Sequence, residues 1–255
     1  MRDKVALVTG GGAGIGRAIA LRLAEEGAAV VVADVDEEGG AETVRRINSD
    51  ADRGAFVLAD VSVEAGAREM VDSAGRTFGG LDVLVNNAGG APEPHLPEAD
   101  PEHWLRTLDL NLRGVMLSTH FAIQAMRRRG GGVIVNISSM AGIGYRTHDA
   151  PEYAAGKAGV VRLTATLAPL KEEMGVRVNC ICPGWVETPA VQQALAGMTE
   201  EERMAQSMPP PAVLIRPEEI ADAVVLFVHD DTLAGRVMLW PDDGPQRLVP
   251  VDAAH

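Results

Sequence analysis

Cysteine, basic charge and long apolar runs are all scarce in this 255-residue chain. The two cysteines, Cys180 and Cys182, cannot build a disulfide framework. Their C-x-C spacing inside an apolar run suits burial on one face of a strand better than a bridge or a metal pair. Six histidines form no H-x-x-x-H pattern and no cluster with cysteine, so a metal site is not expected. Lys and Arg number 23 against 36 Asp and Glu, a net charge of −13. That balance argues against nucleic acid or an anionic membrane as partner and serves solubility. No apolar run approaches the roughly 18 residues that span a bilayer. Met1-Arg2-Asp3-Lys4 leads into a short apolar segment, without the apolar core of a signal peptide, so a cytoplasmic location is expected.

What is present is regular alternation. Apolar runs rich in Val, Ile and Leu occupy residues 5–9, 29–34, 55–60, 83–87, 133–138, 176–181 and 236–240. Segments of helical periodicity separate them, at 15–27, 37–48, 63–78, 101–129, 152–174 and 217–229. Runs apolar on both faces read as strands buried between helices. Strict alternation predicts right-handed crossovers and an α/β, doubly wound, Rossmann-like sheet of about seven parallel strands, one domain over 1–255. The one composition shift lies at 192–216, rich in Met, Pro, Glu and Ala, with Pro209-Pro210-Pro211 unable to continue a helix. An excursion of that length reads as a substrate lid, at about 190–216, or as a disordered loop.

The first strand runs into Thr9-Gly10-Gly11-Gly12-Ala13-Gly14-Ile15-Gly16 and then a helix. Glycines allow positive φ and close backbone approach, and the helix start offers free N–H groups to a pyrophosphate. The spacing G-x-x-x-G-x-G differs from the general dinucleotide fingerprint, yet its strand–turn–helix setting is the right one. Gly10, Gly12, Gly14, Ile15 and Gly16 are therefore cofactor-binding candidates. Asp34 closes the second strand, where a carboxylate can accept from ribose hydroxyls and repel a 2′-phosphate. No Arg or Lys follows it closely, so NAD is favoured over NADP; the plainer alternative is that Asp34 caps the next helix.

Tyr153 and Lys157 fall four apart in a helical segment, on one face, about 5–6 Å apart at Cβ. An ammonium beside a phenol favours the phenolate and draws an ordinary pKa of about 10 toward neutrality. Tyr153 is thus a candidate general acid/base for an alcohol or carbonyl. Taken alone, the pair also fits chance.

Further motifs remove that ambiguity: Asp60-Val61 after the third strand, N-N-A-G at Asn86–Gly89, Asn111, Ser138-Ser139, and P-G-x-x-x-T at Pro183–Thr188. In this order and spacing, the chain resembles the short-chain dehydrogenase/reductase family from Lys4 to about Thr188. The resemblance implies that Asp60 bonds the adenine amino group, with the Val61 backbone beside it, and that Asn87 lines the adenosine pocket. It implies that Ser139 holds the substrate oxygen and that Lys157 bonds the nicotinamide ribose. Asn111 is expected to hold a water linking Lys157 to solvent, and Val186 and Thr188 to fix the carboxamide. The activity implied is NAD-dependent hydride transfer between a secondary alcohol and its ketone. An NADP-dependent carbonyl reductase and a non-catalytic dinucleotide-binding regulator are the alternatives.

The chain departs from the family at three places. Gly156 stands where serine is common, Pro169 interrupts the Tyr153 helix, and Asp242-Asp243-Gly244-Pro245 replaces a D-G-G-like turn before a tail to His255. A homo-oligomer, tetramer or dimer, is implied, with Pro169 inside the helix that commonly packs between subunits. The tail either extends a subunit contact or frays. Residues 94–96, 140–148, Trp185 and 192–211 are the candidate pocket walls, mainly apolar, suiting a neutral small-molecule alcohol or ketone. Arg146 and His148 are the nearest basic groups, either carboxylate ligands or surface residues.

Overall fold

Short aliphatic runs become parallel strands when helices cover both faces, and that is the arrangement adopted. The computed structural model describes residues 1–49, 51–144, 147–205, 209–242 and 244–249. Arg146, Asp243, the 206–208 part of the expected lid and the tail at 250–255 lie outside the described residues.

The first half runs β1 (Val5–Thr9), α1 (Gly14–Glu25), β2 (Ala29–Asp34), α2 (Glu37–Ile47), β3 (Gly54–Leu58), α3 (Glu64–Phe78) and β4 (Val83–Asn86). Next come α4 (Pro101–Leu108), α5 (Gly114–Arg127), β5 (Gly132–Ile137), α6 (Pro151–Thr166), α7 (Leu170–Met174) and β6 (Val176–Pro183). The chain closes with α8 (Pro189–Ala196), α9 (Glu200–Ala205), α10 (Pro217–His229), β7 (Val237–Trp240) and β8 (Arg247–Val249). The sheet order is β3-β2-β1-β4-β5-β6-β7-β8, with β1 to β7 all parallel.

Alternation along each strand divides the core in two. Ala6, Val8, Val30 and Val32 pack with Ile19, Leu23, Ile220 and Phe227 of α1 and α10. Val5, Leu7 and Val31 face the other way, onto Met70, Phe121 and Met126 of α3 and α5. Each such aliphatic or aromatic side chain contributes about 1.5–3 kcal/mol on full burial. Cys180 and Cys182 are buried as free thiols, their sulfurs 3.8 Å apart, as their strand spacing predicts.

The structure adds detail to three expectations. The sheet has an eighth strand: β8 pairs antiparallel with β7, Val237 opposite Val249, and so covers what would be an open parallel edge. The expected helix over 101–129 is interrupted by a π-helical turn at Asp109–Arg113. The expected helix over 152–174 stops at Thr166, and α7 restarts after Pro169, whose ring nitrogen has no proton to give.

Candidate active site

Strand order reverses between β1 and β4, and ligands of doubly wound sheets bind in the crevice that this opens. Gly10, just past β1, has φ of 62°, and Gly16 packs so tightly that a Cβ there would collide with the Gly10 carbonyl oxygen. Asn87, just past β4, braces the turn by donating from Nδ2 to the carbonyls of Thr9 and Gly10, at 3.0 and 3.1 Å. Among the described residues no side chain caps the start of α1, and no acid stands in its first turn, whereas Asp36, Asp100 and Thr188 cap α2, α4 and α8. The first N–H groups of α1 face a cradle shaped by missing Cβ atoms, which fits a dinucleotide phosphate.

Asp34 is not the cap of α2; Asp36 accepts from Gly39 N in that role. Asp34 Oδ2 instead accepts from Gly12 N at 2.7 Å, joining the end of β2 to the glycine turn. Val61 is buried, while Asp60 is exposed and accepts from the backbone and hydroxyl of Ser62.

Ser139, Tyr153 and Lys157 meet across a cavity of about 420 Å³ that also touches Gly10, Gly14, Ile15, Asn87, Val186 and Thr188. Ser139 follows β5 and accepts from Ala141 N at 3.1 Å, which leaves its own hydroxyl proton to donate. Lys157 is 3% exposed, and its ammonium donates to Ile137 O at 3.0 Å. Burial lowers it from 10.5 to about 8, so it is charged at neutral pH. The ammonium lies 5.5 Å from the centroid of the Tyr153 ring. The expectation of a depressed phenol is not met by the chain's own groups. Burial raises Tyr153, and hydrogen bonding with Ser139 only partly opposes it.

Asn111 is fully buried inside the π-helical turn, a widened turn that favours functional positions. Its Nδ2 donates to Gly90 O at 2.7 Å and Thr107 O at 2.9 Å, and its Oδ1 accepts from Gly90 N. Asn111 Oδ1 and Lys157 Nζ converge over Gly89, where a Cβ would lie 2.8 and 2.9 Å from them. Both amide protons of Asn111 are thereby engaged.

The family model described as short chain dehydrogenase matches residues 4–199. The chain belongs to this family. A cis-4-hydroxycyclohexanecarboxylate dehydrogenase of Sinomonas cyclohexanicum is 41% identical over 231 residues, 89% of this chain and 90% of that protein. A cyclohexanol dehydrogenase of Acinetobacter sp. (strain SE19) is 36% identical over 230 residues, 90% of this chain and 89% of its own. The crystal structure of a 3-ketoacyl-(acyl-carrier-protein) reductase from Brucella melitensis complexed with NADH superposes with a TM-score of 0.83 at 32% identity. That match covers 95% of this chain and 98% of the reductase.

In this short-chain dehydrogenase the wall of the cleft is shorter than the sequence suggests. Ala141, His148 and Trp185 line the cleft as expected, but on the 190s side the described wall residues are Pro189, Ala190 and Val191 of the first turn of α8. His95 and Leu96 are instead anchored by Glu152: its carboxylate takes His95 Nδ1 at 2.7 Å and Leu96 N at 3.4 Å. Glu152 is buried, and burial acts to raise its carboxyl. Bonds from its own N–H, His95 and Leu96 outweigh that and lower it.

The sequence reading missed Glu152 because its partners lie more than 50 residues away. It also missed Arg17, whose guanidinium bonds the Gly12 and Gly39 carbonyls and the Thr43 hydroxyl. A third omission is a buried polar ladder linking Ser118, Asn86, Asn136 and Thr164 under the site. Asn86 stood in the N-N-A-G motif; nothing local marked Asn136.

Proposed function

We propose that this short-chain dehydrogenase is an NAD-dependent oxidoreductase interconverting a secondary alcohol and its ketone, with Tyr153 as general acid/base. The observation that carries the proposal is the convergence of Ser139, Tyr153 and Lys157 on one cavity continuous with the glycine turn. Gly10, Gly12, Gly14, Ile15 and Gly16 would hold the pyrophosphate end, with Asp34, Asp60, Val61 and Asn87 at the adenosine and Lys157, Val186 and Thr188 at the nicotinamide. The bound nicotinamide supplies the hydride acceptor for oxidation and the donor for reduction.

In oxidation, Tyr153 takes the hydroxyl proton while Ser139 donates to the oxygen on which charge develops. Lys157 stabilises the tyrosinate and is charged for that role below about pH 8. Asn111 lies beside the ammonium with both amide protons engaged. A water linking Lys157 to solvent would therefore bond an oxygen of Asn111. Asp34 favours NAD over NADP, since a 2′-phosphate would meet a carboxylate. Arg17 ties the turn to α2 through Nε on Thr43 and Nη2 on Gly12 and Gly39.

The mainly apolar walls suit a small neutral alcohol, and relatives named for cyclohexanol and hydroxycyclohexanecarboxylate favour a cyclic one. In this reading α8 and α9 close over the substrate as a lid, and the enzyme works as a cytoplasmic homo-oligomer. The test is a panel of secondary alcohols with NAD and with NADP, followed by the absorbance of the reduced cofactor. Tyr153→Phe is expected to bind NADH nearly as the wild type does and to turn over no alcohol. Full activity in that variant would overturn the mechanism.

A further inference from the structure

The geometry points to His148 as a specificity-determining residue that donates a hydrogen bond to a second, uncharged oxygen on the alcohol substrate. This rests on the alcohol–ketone reading above and narrows its substrate class. Ala150 N donates to His148 Nδ1 at 3.0 Å. A ring nitrogen that accepts carries no proton, so the neutral imidazole bears its proton on Nε2. Among the described residues Nε2 has no hydrogen-bond partner. The imidazole lies beside the Tyr153 ring, centroid to centroid 5.7 Å, with the planes 33° apart.

Both rings, with Ser139, border a cavity of about 180 Å³ whose other walls include Ala141, Trp185, Val186 and Val191. Ser139 and Tyr153 serve the reacting oxygen, which leaves the His148 N–H as a donor that the reaction itself does not use. A donor on an otherwise apolar wall discriminates among substrates by what it would lack without an acceptor. The acceptor is uncharged because the lining residues carry no cation, and a neutral N–H offers a carboxylate no opposite charge to offset its desolvation. The substrate class that results is a small alcohol carrying a ketone, ether or second hydroxyl oxygen a few bonds from its carbinol.

The experiment compares kcat/KM for cyclohexanol, 3-hydroxycyclohexanone and 3-hydroxycyclohexanecarboxylate, in the wild type, His148→Phe and His148→Gln. The wild type is expected to prefer the hydroxyketone over cyclohexanol by about five- to tenfold, the scale of one neutral hydrogen bond. His148→Phe keeps an aromatic ring without a donor, and the preference should collapse to near unity. His148→Gln restores an N–H, and its preference should stand above that of the Phe variant. Equal wild-type rates, an undiminished preference in His148→Phe, or no recovery in His148→Gln would each overturn the donor role. A preference for the carboxylate over the hydroxyketone would overturn the uncharged acceptor. Turnover of no alcohol with either cofactor would instead overturn the alcohol–ketone reading, and this inference with it.

Discussion

Replacing Lys157 with Met is expected to abolish turnover while removing a pH-dependent burden on the fold. Lys157 is almost completely buried, and its ammonium is lowered from 10.5 to about 8 by that burial. A lowered folded-state value means that the unfolded chain binds the proton more tightly. Between about pH 8 and pH 10.5 the unfolded state holds more protons, so wild-type stability rises with pH across that window. Below the window both states are charged, and the cost of burying the charge is present in full. That cost corresponds to about 3 kcal/mol.

Methionine preserves most of the aliphatic stem but leaves Ile137 O without its donor, a loss of about 1–3 kcal/mol. The two effects oppose each other at neutral pH, where the variant should range from equal to the wild type to about 2 kcal/mol more stable. The decisive quantity is how the gap changes with pH, because groups common to both proteins largely cancel. Urea denaturation of both proteins at about pH 7 and about pH 10 measures it. The variant should lose about 2.5 kcal/mol relative to the wild type over that rise. A gap that stays constant would refute the buried-ammonium account.

Asp34→Ala removes the acceptor of Gly12 N and the charge that opposes a 2′-phosphate, so NADP should gain on NAD by about tenfold or more; an unchanged ratio of kcat/KM would refute the ribose role. Gly16→Ala drives a methyl into the Gly10 carbonyl oxygen. It should cost about 1–3 kcal/mol, read as a fall in melting temperature of several degrees, together with lost NADH binding in titration. An unchanged melting curve would count against that crowding. Gly156→Ala gains about 1 kcal/mol in helix propensity, yet its Cβ would stand 3.3 Å from Asn111 Cβ, which hydrogen bonds to Gly90 and Thr107 hold in place. No thermal gain and a lower kcat are expected; a clear rise in melting temperature with kcat intact would show that Asn111 yields freely.

The doubly wound sheet was legible because its signal is local. A run such as Val30-Val31-Val32 is apolar on both faces, and only a strand between two helical layers uses both. The glycine turn was legible for the same reason, since positive φ and crowding at Gly10 and Gly16 are demands of neighbouring residues. The π-helical turn was not, because Asp109–Arg113 continues the polar and apolar rhythm of the helices on either side. What accompanies it is tertiary: Asn111 bonds Gly90, 21 residues away in the chain. Likewise β8 depends on the exposed edge of β7 rather than on any strong pattern in Arg247–Val249. The lowered phenol expected from the Tyr153/Lys157 spacing failed for a similar reason. Spacing reports proximity, and desolvation of the ring comes from everything packed around it.

The two ends of the sheet treat buried charge in opposite ways, and the contrast separates chemistry from scaffolding. At the amino ends of the strands, Asp82 accepts from Val5 N and is held by Lys4 and Arg129. Burial acts to raise its carboxyl, but those bonds outweigh it and lower the group. Its stabilisation is therefore present above the ordinary carboxylate range and is lost as pH falls through the lowered value. Nearby Arg177 donates to the carbonyls of Phe227, Val228, Asp230 and Leu233. At the carboxyl ends, the Ser139 hydroxyl bonds Tyr153, Tyr153 is nonetheless raised by burial, and Lys157 is held charged on the Ile137 carbonyl. Acid should therefore loosen the closed floor, while alkali relieves the open site. A fold built only for stability would have matched the second set as completely as the first, and the incompleteness at Tyr153 and Lys157 therefore supports the proposed catalytic role.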